Sequence, residues 1–107
     1  MGIKTFNLER DASSATGAIY EYVNITSQTT TLVKSGAGLL HSITFNKPAA
    51  TGTVEIDDAL TNTTPKIGTI TTPASPMPVT LIYDVAFATG LSITTGTADQ
   101  DITIAYL

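Results

Sequence analysis

The strongest constraint on the fold is a run of nine residues in which apolar side chains occupy every second position. In residues 79–87 these are Val79, Leu81, Tyr83, Val85 and Phe87. A period of two is the pattern of a β-strand with one buried face, because successive side chains of a strand point to opposite sides. We therefore predict a strand here, and we place it at the centre of the core.

Seven further runs are predicted to be strands, six by the same alternation and one, residues 66–72, with a break in it; Gly, Pro, Asn and Ser residues that favour turns separate them. The seven runs cover residues 18–25, 29–34, 39–46, 53–57, 66–72, 91–95 and 102–106. Threonine, a β-branched residue suited to half-exposed strands, makes up roughly a fifth of the chain, well above average usage. About eight short strands predict an all-β fold, an antiparallel β-sandwich of the jelly-roll type.

The first 17 residues differ from the rest and are predicted to form an N-terminal arm, followed by a sandwich domain at residues 18–107. The arm has apolar side chains near its start, at Ile3, Phe6 and Leu8. A small, polar stretch of Ser, Ala, Thr and Gly follows. This is the arrangement of an apolar anchor on a tether, so the three apolar residues are candidates for an interface.

Within the strands, the alternation assigns side chains to faces. In residues 18–25 the aromatic rings of Tyr20 and Tyr22 oppose three aliphatic residues, so we expect a neighbouring subunit to cover this strand and we add both tyrosines to the candidate interface. In residues 39–46 the phase places His41 with the apolar core residues. Gly68 is predicted to mark a β-bulge, which would bring both Ile67 and Ile70 to the core.

Composition excludes several partners. Charged residues are only 13% of the chain, the formal net charge is −4, and the five basic residues are scattered; such a distribution does not suit nucleic acid, which is bound by clustered cations. No apolar run is long enough to span a bilayer and no basic amphipathic helix is present, so no membrane partner is expected. The first residues lack the apolar core of a secretory leader.

The residue types needed for catalysis are scarce, and we predict that the chain is not an enzyme. Cysteine is absent and His41 is the single histidine. Ser42 follows it, but adjacent strand residues are expected to point to opposite faces. The Asp57–Asp58 and Asp99–Asp101 groups offer too few oxygens for calcium and are interpreted as solvated turn residues, so no metal or cofactor is expected.

Three segments resemble small structural proteins of tailed bacteriophages: Gly38–Asn46, Tyr83–Ile93 and Asp101–Leu107. The similarity covers roughly residues 32–107 and consists of strand patterns and a terminal "Ile-x-Ile-x-Tyr"-like strand, with no residue-level binding motif. The resemblance implies a virion protein of the capsid decoration (cement) type or a module of a fibre. Proteins of this kind are commonly β-sandwiches that sit as trimers on the capsid lattice.

The favoured interpretation is therefore a capsid decoration protein, made in the host cytoplasm and located on the capsid surface. Its partners would be the major capsid protein and itself, as a homotrimer. The alternative is a receptor- or carbohydrate-binding module of a phage fibre. Tyr20, Tyr22 and Asn24 are its only candidate sugar platform, because sugar sites combine an exposed aromatic ring with polar groups. A hydrolase domain is the third interpretation, which the single histidine makes hard to sustain.

Overall fold

Eight strands in chain order make up the fold. The structure is a computed structural model that describes residues 19–107. The strands are β1 (Glu21–Ile25), β2 (Thr30–Ser35), β3 (Gly38–Lys47), β4 (Thr53–Asp57), β5 (Lys66–Thr71), β6 (Val79–Phe87), β7 (Gly90–Gly96) and β8 (Asp101–Tyr106). No helix occurs between residues 19 and 107, and the predicted all-β class is confirmed.

Two four-stranded antiparallel sheets contain these strands, in the orders β1-β8-β3-β6 and β2-β7-β4-β5. Four of the strand pairs are those of a single long antiparallel hairpin: β1–β8, β2–β7, β3–β6 and β4–β5. The pairs β3–β8 and β4–β7 then join the rolled hairpin into two sheets. This is the order of a jelly roll, an eight-stranded fold of two Greek keys, as the sequence predicted.

The core lies between the two sheets and draws on both of them. Each sheet contributes fully buried aliphatic residues, which period-two alternation places on its inner side. The buried apolar residues of the core cluster are Ile25, Leu40, Ile43, Phe45, Val54, Ile56, Phe87, Leu91, Ile93, Ile102 and Ile104.

The prediction that β6 is the central core strand is wrong. The strand has the predicted bounds, but among residues 19–107 it lies at the edge of its sheet and pairs only with β3. Phe87 is buried, Leu81 and Tyr83 are partly buried, and Val79 is exposed. Alternation identifies an inward face but carries no information on whether a strand has one neighbour or two.

The predicted phase of β3 is confirmed at Ile43 and Phe45, which are buried, but it is wrong at Leu39 and His41, because a bulge interrupts the strand. The register shifts between Leu40 and Ser42 on both sides of the strand. Leu40 and Ile43 are both fully buried, so the two residues between them, His41 and Ser42, lie outside the core row. Ser42 shares the outer row with Ala105 and Ile82 but is itself only 6% exposed. An extra residue in a bulge resets the alternation in this way.

The bulge predicted beside Gly68 is confirmed. The β4–β5 register shifts between Ile56, which pairs with Gly68, and Asp57, which pairs with Lys66. Ile67 is therefore the extra residue. Both Ile67 and Ile70 pack against the core, as expected.

The predicted N-terminal arm, with Ile3, Phe6 and Leu8, lies outside the described residues. The first predicted strand, residues 18–25, is shorter than expected, since β1 begins at Glu21.

Candidate functional site

The outward-facing side of the β1-β8-β3-β6 sheet, which we call the Tyr22 face, is the best candidate for a functional surface. Residues that are paired across the four strands form rows on this face. Its members are Tyr20, Tyr22, Asn24, His41, Ser42, Thr44, Asn46, Thr80, Ile82, Asp84, Asp101, Thr103 and Ala105.

The two middle rows of this face carry no charged side chain. One row reads Tyr22, Ala105, Ser42 and Ile82 across the four strands, and the next reads Asn24, Thr103, Thr44 and Thr80. Tyr22 is 74% exposed and Ile82 is 60% exposed. Two large side chains with apolar surface, Tyr22 and Ile82, are thus exposed to solvent at opposite ends of an uncharged row.

The amides of this face are already hydrogen-bonded within the sheet. The Asn24 side-chain nitrogen donates to Asp101 Oδ1 (2.8 Å) and to the Ile102 carbonyl (2.9 Å). The Asn46 nitrogen donates to Thr103 Oγ1 (2.9 Å) and to Asp101 Oδ1 (3.2 Å). Since unpaired polar groups carry most of the cost of burial, a partner could cover this face without leaving these donors unsatisfied.

At one end of the Tyr22 face, three side chains contact one another. The Tyr20 ring stacks on the His41 ring, with centroids 4.0 Å apart and planes 8° from parallel. His41 Nδ1 lies 2.6 Å from Asp84 Oδ1. Asp84 has a positive φ of 49° at the point where β6 shifts register against β3.

These contacts place His41 differently from the prediction. Its ring is hydrogen-bonded to Asp84 on the outer face and does not lie with the apolar core residues. The argument that kept Ser42 away from His41 also fails, because the bulge places both outside the core row. The hydrogen bond of His41 goes to Asp84 and not to Ser42.

The opposite side of the sandwich, which we call the Asp57 face, is charged and covered. The outward side of the β2-β7-β4-β5 sheet carries Glu55, Asp57 and Lys66 side by side. Lys66 Nζ donates to Asp57 Oδ1 (3.0 Å) and to Glu55 Oε1 (3.2 Å). The hydrogen bond from Lys66 to Asp57, and then that to Glu55, raises the pKa of the Lys66 ammonium.

The loop that connects β4 to β5, residues 58–65, folds over this face. With the Asn62 amide oriented so that its nitrogen faces the carboxylates, that nitrogen donates to Glu55 Oε1 (2.9 Å) and Asp57 Oδ2 (3.1 Å). Ser92 Oγ donates to the Thr61 carbonyl (2.9 Å). As a result the Asp57 side chain is 0% exposed. The interpretation of Asp57 as a solvated turn residue is therefore wrong.

Asp58 is likewise a structural residue. Its carboxylate accepts hydrogen bonds from the backbone N–H groups of Ala88 (3.0 Å) and Thr89 (2.8 Å), with Gly90 further away at 3.4 Å. The hydrogen bond from Ala88, followed by that from Thr89, lowers the pKa of Asp58. The side chain thereby ties the β4–β5 loop to the turn between β6 and β7.

A second polar network is buried near the start of β8. Gln100, which is 1% exposed, accepts a hydrogen bond from the Ala49 N–H (2.8 Å) at its Oε1. Thr72 Oγ1 donates to the Ala49 carbonyl (2.6 Å) and accepts from the Gly52 N–H (2.8 Å). A Cβ on Gly52 would lie 2.2 Å from the Gln100 side-chain nitrogen, so the network requires glycine there.

An apolar groove opens between the edge strands β5 and β6, and we call it the β5–β6 groove. Its apolar lining residues are Phe45, Pro48, Ile70, Pro73, Pro76, Met77, Val79 and Leu81. Further along the same side, a Cβ on Gly68 would lie 3.3 Å from the Tyr83 hydroxyl, so Tyr83 spans the gap between the sheets there. Burial raises the pKa of this hydroxyl.

The structure brings together two of the predicted interface residues, Tyr20 and Tyr22, on one face, while Ile3, Phe6 and Leu8 lie outside the described residues. Sequence reasoning missed Ile82. The signal was present, because Ile82 is apolar and lies out of phase in an otherwise regular strand.

Within residues 19–107, no three or more His, Cys, Asp and Glu side chains are grouped as they would be around a metal ion. The same part of the chain has no helix suited to crossing a bilayer. No protein-family model, no curated protein and no solved structure matches the chain.

Proposed function

We propose that this chain is a bacteriophage structural protein of the capsid decoration type, which binds the lattice of a major capsid protein as a homotrimer. The observation that carries the proposal is the Tyr22 face, which is uncharged in its middle rows and internally hydrogen-bonded. Its two large apolar groups are exposed. Burying aromatic and aliphatic side chains at the centre of a contact, with charges kept at the rim, is the pattern of protein–protein interfaces.

The size of the face supports binding by more than one copy. Three strand spacings by four rows give roughly 15 Å by 20 Å, or about 300 Å² in plan. A standard stable interface uses about 800 Å² on each partner. One copy would therefore bind weakly through this face, and several copies held together would bind far more tightly through their effective concentration.

The geometry gives the carbohydrate-binding alternative less support. One ring face of Tyr20 is occupied by His41, and the amide nitrogen of Asn24 is used within the sheet. Tyr22 remains as a single exposed ring. Sugar recognition through this face would depend on one aromatic platform and on polar groups that already have partners.

The test is co-sedimentation of the purified protein with empty shells assembled from a tailed-phage major capsid protein. We expect saturable binding at one trimer per lattice site. Tyr22→Asp and Ile82→Asp should each weaken binding at least 100-fold, since a carboxylate would have to be desolvated in the contact. Leu32→Asp is the matched control, because Leu32 is 47% exposed on the opposite sheet, and it should bind as the unaltered protein does.

Absence of sedimentation at protein concentrations of tens of micromolar would overturn the proposal. Equal losses for the control and the two Tyr22-face variants would remove the face from the mechanism. Multi-angle light scattering of the free protein should give the mass of a trimer, and a monomer at these concentrations would contradict the oligomeric part of the proposal.

A further inference from the structure

The Tyr22 face has a carboxylate at each end of its uncharged middle rows. Asp84 lies on β6 beside His41, and its side chain is 55% exposed. Asp101 begins β8, and its Oδ1 accepts hydrogen bonds from the side-chain amides of Asn24 and Asn46. Amides are neutral donors, so they satisfy the oxygen without cancelling its charge. A neutral imidazole does the same for Asp84.

The two carboxylates are far apart on the sheet. Asp101 pairs with Lys47 at the end of β3, whereas Asp84 contacts His41 near the start of that strand. The two aspartates lie on opposite neighbours of β3, since the strand order is β1-β8-β3-β6. Strand rise and strand spacing then give a separation of roughly 20 Å. A partner that pairs with both carboxylates must carry two cations at a similar separation.

The nearby lysine does not neutralise the Asp101 end. Lys47 is the cross-strand partner of Asp101, but within residues 19–107 its ammonium takes part in no ion pair. Asp99 lines the same surface depression as Lys47 and Asp101, so two carboxylates accompany one ammonium there. The apolar centre of the face therefore lies between two regions of negative charge.

The described part of a second copy is a poor source of complementary cations. It contains three lysines and no arginine: Lys34, Lys47 and Lys66. Lys66 is already paired with two carboxylates on the Asp57 face, and Lys47 lies beside Asp101. That leaves Lys34, whereas the face requires two cations. The charge pattern favours a different protein as the partner.

We propose that the Tyr22 face binds a segment of a partner protein in which one large apolar side chain lies between two Lys or Arg side chains. The apolar side chain contacts Tyr22 and Ile82, and the two cations pair with Asp84 and Asp101. Complementary charges at the rim of a contact steer association and fix its orientation, while the desolvated centre supplies most of the affinity. This inference deepens the proposed function and rests on it only for the identity of the partner.

A peptide titration tests the charge pattern without capsid shells. The ligand is a seven-residue peptide with arginine at both ends and leucine at its centre, about 20 Å between its ends when extended. We expect NMR shifts at the amides of Tyr22, Ile82, Asp84 and Asp101, with a dissociation constant on the order of 1 mM at low ionic strength, because the contact is small. The same peptide with glutamate at both ends is the control and should bind at least tenfold more weakly.

Two substitutions remove the charges and keep the shape. Asp84→Asn and Asp101→Asn each retain an oxygen that can accept the present hydrogen bonds, and asparagine tolerates the positive φ of residue 84. Each should weaken binding of the arginine peptide about threefold at low ionic strength, and the difference should vanish in about 1 M salt, which screens exposed charges. Glu55→Gln removes one negative charge from the Asp57 face and is the matched control, with unchanged binding.

The contrary outcomes are distinct from one another. Absence of shifts with the arginine peptide at millimolar concentrations, or equal binding of the glutamate peptide, would overturn the proposal. Equal losses for Glu55→Gln and the two Tyr22-face variants would also overturn it, since the effect would then depend on net charge alone. A lower mass of free Asp84→Asn or Asp101→Asn protein in light scattering would show that another copy supplies the cations, contrary to the proposal.

The proposed function fails separately. If the arginine peptide binds as expected and capsid shells do not, the proposed function is refuted alone. If shells bind with an affinity that is the same at low ionic strength and in about 1 M salt, the charge pairing is refuted alone.

Discussion

The two outer faces of the sandwich rest on the same core and have opposite chemistry. On the Asp57 face the charges are paired beneath a loop, so that even the carboxylate at the end of the inner strand β4 is shielded from water. On the Tyr22 face the charges stand at the ends, and the middle rows expose Tyr22 and Ile82 without a cover. The β4–β5 loop thus covers the charged cluster of the Asp57 face, whereas no described segment covers the uncharged middle rows of the Tyr22 face, an arrangement expected of a surface with an external partner.

The largest expected effect tests whether the two faces share one core. Ile43→Ala, beneath the Tyr22 face, and Ile56→Ala, beneath the Asp57 face, should each lower the free energy of unfolding by about 2–5 kcal/mol, the cost of removing buried aliphatic volume. Both side chains are 0% exposed. Urea denaturation measures the change, and a loss at one position but not at the other would mean that the faces do not rest on a common core.

A substitution at a partly buried position of the edge strand β6 should lower the free energy of unfolding by less than one at a fully buried position. Leu81→Ala is expected to lower the free energy of unfolding by about 1–2 kcal/mol, below the range for fully buried residues, because Leu81 lies on β6 and borders the groove. A loss as large as that of Ile43→Ala would show that β6 is packed as a central strand.

The next comparison is between the faces themselves. Asp57→Ala should lower the free energy of unfolding by about 1–3 kcal/mol, since it leaves hydrogen-bonding groups of the covering loop without their partner. Ile82→Ala, on the exposed face, should change it by less than about 0.5 kcal/mol, as surface substitutions do. If the two variants unfold at the same urea concentration, the contrast between covered and open faces is wrong.

Lowering the pH should destabilise the fold at Asp58, which joins the β4–β5 loop to the turn between β6 and β7. The pKa of Asp58 is lowered in the folded protein by backbone N–H groups at Ala88 and Thr89. A carboxylate of this kind stabilises the fold above its ordinary pKa, near about 4, and that contribution is lost as the pH falls through the lowered folded value. Asp58→Asn should flatten the pH dependence of the unfolding temperature below pH 4, and an unchanged slope would contradict the assignment.

The smallest effect is expected at His41. His41→Gln keeps a polar group beside Asp84 and should leave shell binding within about twofold, because the ring lies at the end of the Tyr22 face and not in its middle rows. Loss of a measurable catalytic rate in a folded His41→Gln protein would contradict the prediction that the chain is not an enzyme.

Strand positions were the most predictable feature of this sequence. The bounds of β4 and β6 follow directly from the alternation, and the bulge beside Gly68 follows from the spacing of Ile67 and Ile70. Pairing was not predictable in the same way, because the period of two is identical in edge and central strands. This is why β6 was placed at the centre of the core.

The site was less predictable than the fold, and for local reasons. No sequence signal marks the bulge at His41, which places two adjacent residues outside the core row. The burial of Asp57 depends on a loop whose path is set by contacts far apart in sequence, such as that between Ser92 and Thr61. Ile82 alone could have been found, by asking which side chains the alternation leaves on the outer side.

The pairing of β1 with β8 has a mechanical consequence. The five residues of β1 are paired antiparallel with residues 102–106 of β8, and the hydrogen bonds of such a ladder run perpendicular to the strands. A pull on the N-terminal segment acts along β1 and strains all of these bonds at once, instead of opening them one after another. Because β8 is also paired with β3, the force is shared by the inner strands of the sheet. A copy pulled through its first residues would therefore resist unfolding strongly.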